Sequence, residues 1–283
     1  MASGRRRGTR TRVTVSAGCA GLLAVLALLC GCSRTDAAAE GRQQTPVEVL
    51  RRAPDALAVA GSSAVRTAME MDSGGTRITV TGEGGFDYVT GMGELMLTLP
   101  VRQEEDTGLP VTEVFAPGEL YMKNRGAGVP PDKWVRIDVT TVADGNLVTG
   151  GATDPLLAAE LLRGVTSASE VNREEMNGKP VTHFRGVTDL GAAARAASGA
   201  VAEQLRAAVA GDRFPDPEVE FDAYVDEDGL LRRVSHHFGF AGQLSGGDEA
   251  LVQVASTVDL YAFGRPVDVE LPGDDEVYAG RVA

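Results

Sequence analysis

The sequence predicts an α+β domain, a long antiparallel β-sheet with one apolar face, accompanied by a few helices. Three observations carry that prediction. From Val65 onwards apolar side chains recur mainly at every second position, the spacing of half-buried strands. Turn-forming pairs such as Gly74-Gly75 and Asn177-Gly178 divide these runs into hairpins. Helical spacing is confined to segments that begin near Pro46, Pro155 and Leu190.

The chain opens with Arg5, Arg6, Arg7, Arg10 and Arg12 and no acidic residue, followed by an apolar segment from Val13 to Gly31 broken only by Thr14 and Ser16. The unbroken apolar run, Ala17 to Gly31, falls short of the about 20 residues of a spanning helix, so the pattern is that of a secretory signal, predicted here over residues 1–31, with an uncleaved N-terminal anchor helix as the alternative. Leu29-Cys30-Gly31-Cys32 resembles the lipobox of bacterial lipoproteins, in which the cysteine after small residues is acylated and becomes the mature N-terminus. Cys32 is therefore the predicted lipidation site. Cleavage before it discards Cys19 and Cys30, so the mature domain has no disulfide, no thiol nucleophile and no cysteine-based zinc site. A domain of this length buries a sufficient core without disulfides.

Removing the five signal arginines from the 27 basic residues leaves 22 against 40 acidic ones, a net charge of −18. Such a surface repels nucleic acid and anionic head groups, so membrane attachment falls to the acyl chains. Two or more chains anchor a protein stably where one does not. Residues 32–44 lack large apolar side chains and read as a flexible tether that spans roughly 20 Å. A single domain is expected over residues 45–283.

Within that domain Thr45-Pro46-Val47-Glu48 has capping-box spacing and starts a helix, which Pro54 is expected to kink or end near Ala53. Val65, Thr67, Met69 and Met71 share one strand face, Ile78 and Val80 face the same way on the next strand, and Leu95, Leu97 and Leu99 repeat the pattern. Further strands are expected at 111–115, 119–123 and 133–139. Asp154-Pro155 opens a short helix closed by Gly164, and strands return at 167–175 and 181–185 across Asn177-Gly178. Leu190 to Ala210 reads as the longest helix, with Leu190, Ala194, Ala197, Val201, Leu205 and Val209 on one stripe and Gly199 weakening its middle. Val219, Phe221, Ala223 and Val225 then alternate inward, followed by a turn at Asp226-Glu227-Asp228-Gly229 and strands at 230–240 and 251–263.

The order of these elements resembles that of actinobacterial cell-envelope lipoproteins of the LppX/LprG type, whose fold is similar to the LolA lipoprotein carrier. The residues behind the resemblance are Gly118-Glu119-Leu120-Tyr121-Met122-Lys123 with Lys133-Trp134-Val135-Arg136-Ile137-Asp138, then Asn177-Gly178-Lys179-Pro180-Val181-Thr182-His183-Phe184, and Asp226-Glu227-Asp228-Gly229-Leu230-Leu231-Arg232-Arg233. With the lipobox they span most of residues 32–264. The resemblance implies a curved antiparallel sheet, a half-barrel wrapped over helices, with an apolar cavity that holds lipid in some relatives. It implies no cofactor and no catalytic residue.

The candidate ligand-binding face is then Met69, Met71, Ile78, Val80, Leu95, Leu97, Leu99, Phe221 and Val225, with Met96 and Met122 as further adaptable thioethers. Periodicity does not separate a cavity lining from a packed core. Enzyme readings find little support. His236 and His237 are adjacent on a strand and point to opposite faces, His183 stands alone, and Asp226-Glu227-Asp228-Gly229 lacks the ligand series of a calcium loop. Two functions remain: an extracytoplasmic, lipid-anchored protein that binds or carries a hydrophobic envelope molecule, and a sensor or scaffold with a filled core that binds an envelope protein.

Overall fold

The computed structural model describes residues 44–100, 109–126, 128–150, 154–243 and 249–280. The predicted signal, Cys32 and all but the last residue of the tether lie outside them.

Helix α1 (Pro46–Ala60) starts as the sequence dictates. The Glu48 N–H donates to Thr45 Oγ1 at 3.2 Å, and Glu48 Oε2 accepts from the Thr45 N–H at 2.8 Å. The helix does not end at Pro54 but runs on to Gly61. Leu50, Ala53, Pro54 and Leu57 are all buried on its inner face. Two leucines alone recover roughly 3–6 kcal/mol by burial, enough to outweigh the ~3 kcal/mol cost of an internal proline.

The first six strands are β1 (Ser62–Ser73), β2 (Thr76–Asp87), β3 (Met92–Thr98), β4 (Val111–Ala116), β5 (Glu119–Lys123) and β6 (Trp134–Asp138). Helix α2 (Pro155–Leu161) follows, capped by Asp154 and extended by a 3₁₀ turn at Leu162–Gly164. Strands β7 (Val165–Met176) and β8 (Lys179–Asp189) precede α3 (Leu190–Ala196) and α4 (Gly199–Ala210), and β9 (Glu218–Asp226), β10 (Leu231–Gln243) and β11 (Glu249–Tyr261) complete the chain of elements.

The predicted long helix over 190–210 is two helices. Ala197 and Ser198 are extended, and Gly199 has φ +58, a conformation glycine adopts without strain. The break turns two short alanine-rich stripes toward one interior, where Leu190, Ala193 and Ala194 of α3 meet Val201, Leu205 and Ala208 of α4. Val209 leaves the expected stripe and is 48% exposed.

The strands form one open sheet in the order β6-β5-β4-β3-β2-β1-β11-β10-β9-β8-β7, antiparallel throughout. Each strand pairs with its neighbour in sequence except β6 and β7, which form the two edges, and β1 with β11 joins the two wings. The result is the long antiparallel sheet with a few helices expected from the sequence, open at β6 and β7 like the half-barrel that the resemblance implies. Its concave face packs on α1 and α2 in one core, and on α2, α3 and α4 in a second. Its convex face is polar. Across five successive pairings Glu83, Arg66, Asp259, Arg233, Tyr224 and His183 fall in a single row. Arg66 bonds Glu83 at 2.8 Å, and Arg233 grips both oxygens of Asp259.

Candidate ligand-binding face

The register of the sheet assembles the concave face from single residues of each strand. Met69 lies opposite Val80, Met71 opposite Ile78, Leu97 opposite Gly82 and Val111, and Leu95 opposite Gly84 and Glu113. On the other wing Phe221 pairs with His236, and Val225 with Leu231. The nine predicted residues therefore share one surface but divide by depth. Met69, Val80, Leu95, Leu97, Phe221 and Val225 are buried among core residues, whereas Met71, Ile78 and Leu99 are only half-buried. Leu97 fills the space of a missing side chain: a Cβ on Gly82 would lie 2.6 Å from its Cδ2.

The half-buried residues lie at one end of the half-barrel, where β1 and β2 approach their hairpin. There Met71 also pairs with Val254, Val254 with Phe238, and Val252 with Phe240. Phe214 packs on Phe238 and Phe240 with ring centroids 5.4 and 5.8 Å apart. The core thus runs without a polar break into an apolar rim of Met71, Ile78, Leu99, Val252, Phe214 and Phe240, none of them fully covered. Met122 faces inward as expected, 2% exposed. Met96 does not: it alternates with Leu95 and Leu97, stands on the convex face and is 55% exposed.

Polar groups also enter the interior. Glu113, between the inward-facing Val111 and Phe115, is fully buried, and neither carboxyl oxygen has a hydrogen-bond partner. Burial pushes its carboxyl up to about 8, with Arg125 opposing and the charge of Asp154 adding to the rise, so Glu113 is largely protonated at neutral pH. Asn146, 1% exposed, leaves both side-chain polar atoms unpaired. A Cβ on Gly150 would stand 3.0 Å from Asn146 Oδ1 and 3.3 Å from Glu113 Oε1, so the two polar side chains converge beside that glycine. Asp154 accepts from the Leu156 and Leu157 N–H groups, yet burial raises its carboxyl to about 6. Nearby, the buried Tyr88 and Ser63 hydroxyls share a 2.7 Å hydrogen bond. In the other wing His236 is buried with Nε2 unpaired, and burial pulls its imidazole down to about 3.

The Glu113 and Asn146 pair is absent from the sequence reading. One signal was available: in Val111-Thr112-Glu113-Val114-Phe115 a glutamate occupies an inward position of a period-two run. Asn146 lies in a loop with no periodicity, and only the fold brings it to Glu113.

The histidines behave partly as expected. His236 points inward and His237 outward. His183 is not alone, since its Nε2 bonds Asp222, which also accepts from Arg185, and its ring stacks on Tyr224 with centroids 4.4 Å apart. Asp226 is occupied by its own turn, accepting from the Asp228 and Leu230 N–H groups and from Arg232. Among the described residues no group of three or more His, Cys, Asp or Glu is placed to hold a metal, and no helix is long and apolar enough to cross a membrane. An open groove of about 640 Å³ lies outside the half-barrel, between the outer side of α1 at Val49, Arg52, Ala56 and Val59 and the β9–β10 turn at Leu230. None of the nine predicted residues lines it.

No family model and no curated protein matches the chain. Solved structures similar to it include the lipoprotein LppX of Mycobacterium tuberculosis, aligned over 79% of this chain and 97% of its own at 13% identity and a TM-score of 0.47. LprF from Mycobacterium bovis aligns over 80% of this chain and 96% of its own, at 13% identity and a TM-score of 0.42. A putative outer membrane lipoprotein-sorting protein domain from Vibrio parahaemolyticus aligns over 78% and 93%, at 10% identity and a TM-score of 0.33.

Proposed function

We propose that this chain is an extracytoplasmic lipoprotein, held to the membrane by acyl chains on Cys32, that binds a hydrophobic envelope molecule such as a lipid at the open end of its half-barrel. No catalytic step is part of this reading. The observation that carries it is the apolar rim: Met71, Ile78, Leu99, Val252, Phe214 and Phe240 continue the concave core outward and remain only partly covered. Apolar surface left in contact with water at the mouth of a concave sheet favours an apolar ligand.

Mass spectrometry of solvent extracts, from protein purified out of its own envelope, tests the binding. A co-purifying lipid supports it; an empty extract removes it. The anchor is tested separately by fatty-acid labelling of Cys32→Ser, which should lose all label and leave the membrane fraction, whereas Cys30→Ser should keep both. Unchanged labelling in Cys32→Ser rejects the anchor without touching the binding reading.

One observation favours the scaffold reading. Leu95, Leu97 and Phe221, at the centre of the concave face, are fully buried by the protein's own side chains. An empty extract, combined with a stable envelope protein recovered by crosslinking in intact cells, would establish that alternative.

A further inference from the structure

The geometry points to a polar recognition point inside the half-barrel: Glu113 and Asn146 together receive the uncharged hydroxyl of an amphiphile whose chain lies along the concave face. This inference rests on the binding reading above and adds the chemistry of the ligand's head.

Buried polar atoms almost always find partners. Here four atoms on two fully covered side chains have none: both oxygens of Glu113 and both the oxygen and the nitrogen of Asn146. They are not scattered. Asn146 Oδ1 and Glu113 Oε1 border the same point beside Gly150, with Leu120 Cδ2 3.2 Å from that point as their apolar neighbour, so a small polar group that displaces the leucine methyl addresses both.

The donors and acceptors define that group. A protonated Glu113 offers one O–H and one acceptor, and the Asn146 amide offers N–H donors and one acceptor. The matching partner both gives and takes hydrogen bonds, as a hydroxyl does. An alkane leaves all four atoms unmet, the situation a polar pocket discriminates against most strongly. A carboxylate or phosphate brings a negative charge beside Asp154 into a strongly acidic protein. The surroundings are apolar: Glu113 pairs across β3–β4 with Leu95 and across β4–β5 with Met122, Val111 beside it pairs with Leu97, and all four are buried, so a chain reaches Glu113 only by parting side chains that now pack on one another.

The experiment incubates purified full-length protein with an equimolar mixture of 1-hexadecanol, hexadecane and palmitate, and measures what remains bound after gel filtration by mass spectrometry. Wild type should retain hexadecanol over hexadecane by at least ~10-fold, and over palmitate as well. Glu113→Gln, which keeps a donor and an acceptor, should preserve the preference. Glu113→Met, of similar shape but apolar, should reduce it to less than about 2-fold, and Asn146→Leu provides a second removal if the first fails to fold. Equal retention of alcohol and alkane by wild type, a preference for palmitate, or a preference that survives both removals overturns the inference while leaving hydrophobe binding intact. A crystal structure of the hexadecanol complex with only a water molecule between Glu113 and Asn146 does the same. Retention of none of the three probes, together with an empty native extract, overturns hydrophobe binding itself.

Discussion

Glu113 links stability to pH in a direction opposite to that of a salt-bridged carboxylate. Its folded value, about 8, lies above its ordinary 4.5, because burial disfavours the charged form. The folded state therefore holds the proton more tightly than the unfolded state. The associated stability is complete below pH 4.5 and is lost as pH rises to about 8. His236 acts oppositely: its imidazole is lowered from 6.5 to about 3, so its contribution grows between pH 3 and 6.5 and is then constant. Asp154, raised from 3.8 to about 6, has lost its contribution by then. Between pH 6.5 and 8 the slope of these three belongs to Glu113. Wild type should lose stability across that interval in urea titrations, and Glu113→Gln should flatten the curve and unfold at higher urea than wild type at pH 8.5. An unchanged slope in the variant would refute the assignment. Asp226 shows a buried carboxylate with full partnership. It serves the Asp228 N–H at 3.0 Å, the Leu230 N–H at 2.9 Å and Arg232 Nε at 2.6 Å, and Arg232 in turn lies 4.7 Å over the ring of Phe263. Asp226→Ala leaves two backbone donors and a largely buried guanidinium without their partner. It should cost about 3 kcal/mol by denaturant unfolding, whereas Glu227→Ala on the exposed tip should cost under ~0.5 kcal/mol.

The α3–α4 break shows an element whose existence is legible in the sequence but whose shape is not. Alanine-rich spacing over Leu190–Ala210 fits one helix, and glycine inside a helix costs only about 1 kcal/mol, so local propensity alone does not force a break at Gly199. The two readings predict opposite signs for Gly199→Ala. In a continuous helix alanine stabilises by up to ~1 kcal/mol; at φ +58 it is strained and should destabilise by about 1–2 kcal/mol, although no atom lies within 4 Å of the added methyl. Urea unfolding of this single variant decides between them. Pro54 is the converse case, a local breaker overruled by the burial of Leu50 and Leu57, which only tertiary packing reveals. Strands were easier to read because period-two patterning and turn residues are local: the hairpins at Gly74-Gly75, Asn177-Gly178 and Asp226–Gly229 fall where those residues require. The concave face was legible for the same reason. Its depth was not, because whether Leu97 is covered depends on Gly82 beside it and on the helices beneath, which belong to distant parts of the chain.

At the scale of the whole molecule, an open sheet wrapped over helices solves two problems together. Pairing strands with their sequence neighbours keeps most connections local, and the β1–β11 pairing joins the two wings through the chain's first and last strands, which moves the open edges to β6 and β7. The apolar surface is thereby gathered on one concave side, sealed by α1 and α2 at its centre and less covered toward the rim. That gradient separates a packing role from a binding role over two residues at the end of β3. Leu97 is fully buried and pressed against Gly82, so Leu97→Trp overpacks the core and should cost about 1–3 kcal/mol. Leu99, one residue past the end of β3, is half-buried against the edge of the same core, so Leu99→Trp should change stability by less than ~0.5 kcal/mol while its indole covers the rim. Lipid recovered from the native envelope should then fall in Leu99→Trp at nearly unchanged urea midpoint. In Leu97→Trp any fall should accompany a lower midpoint. Full lipid recovery from a folded Leu99→Trp would show that ligand does not enter through the rim, even if the protein binds one.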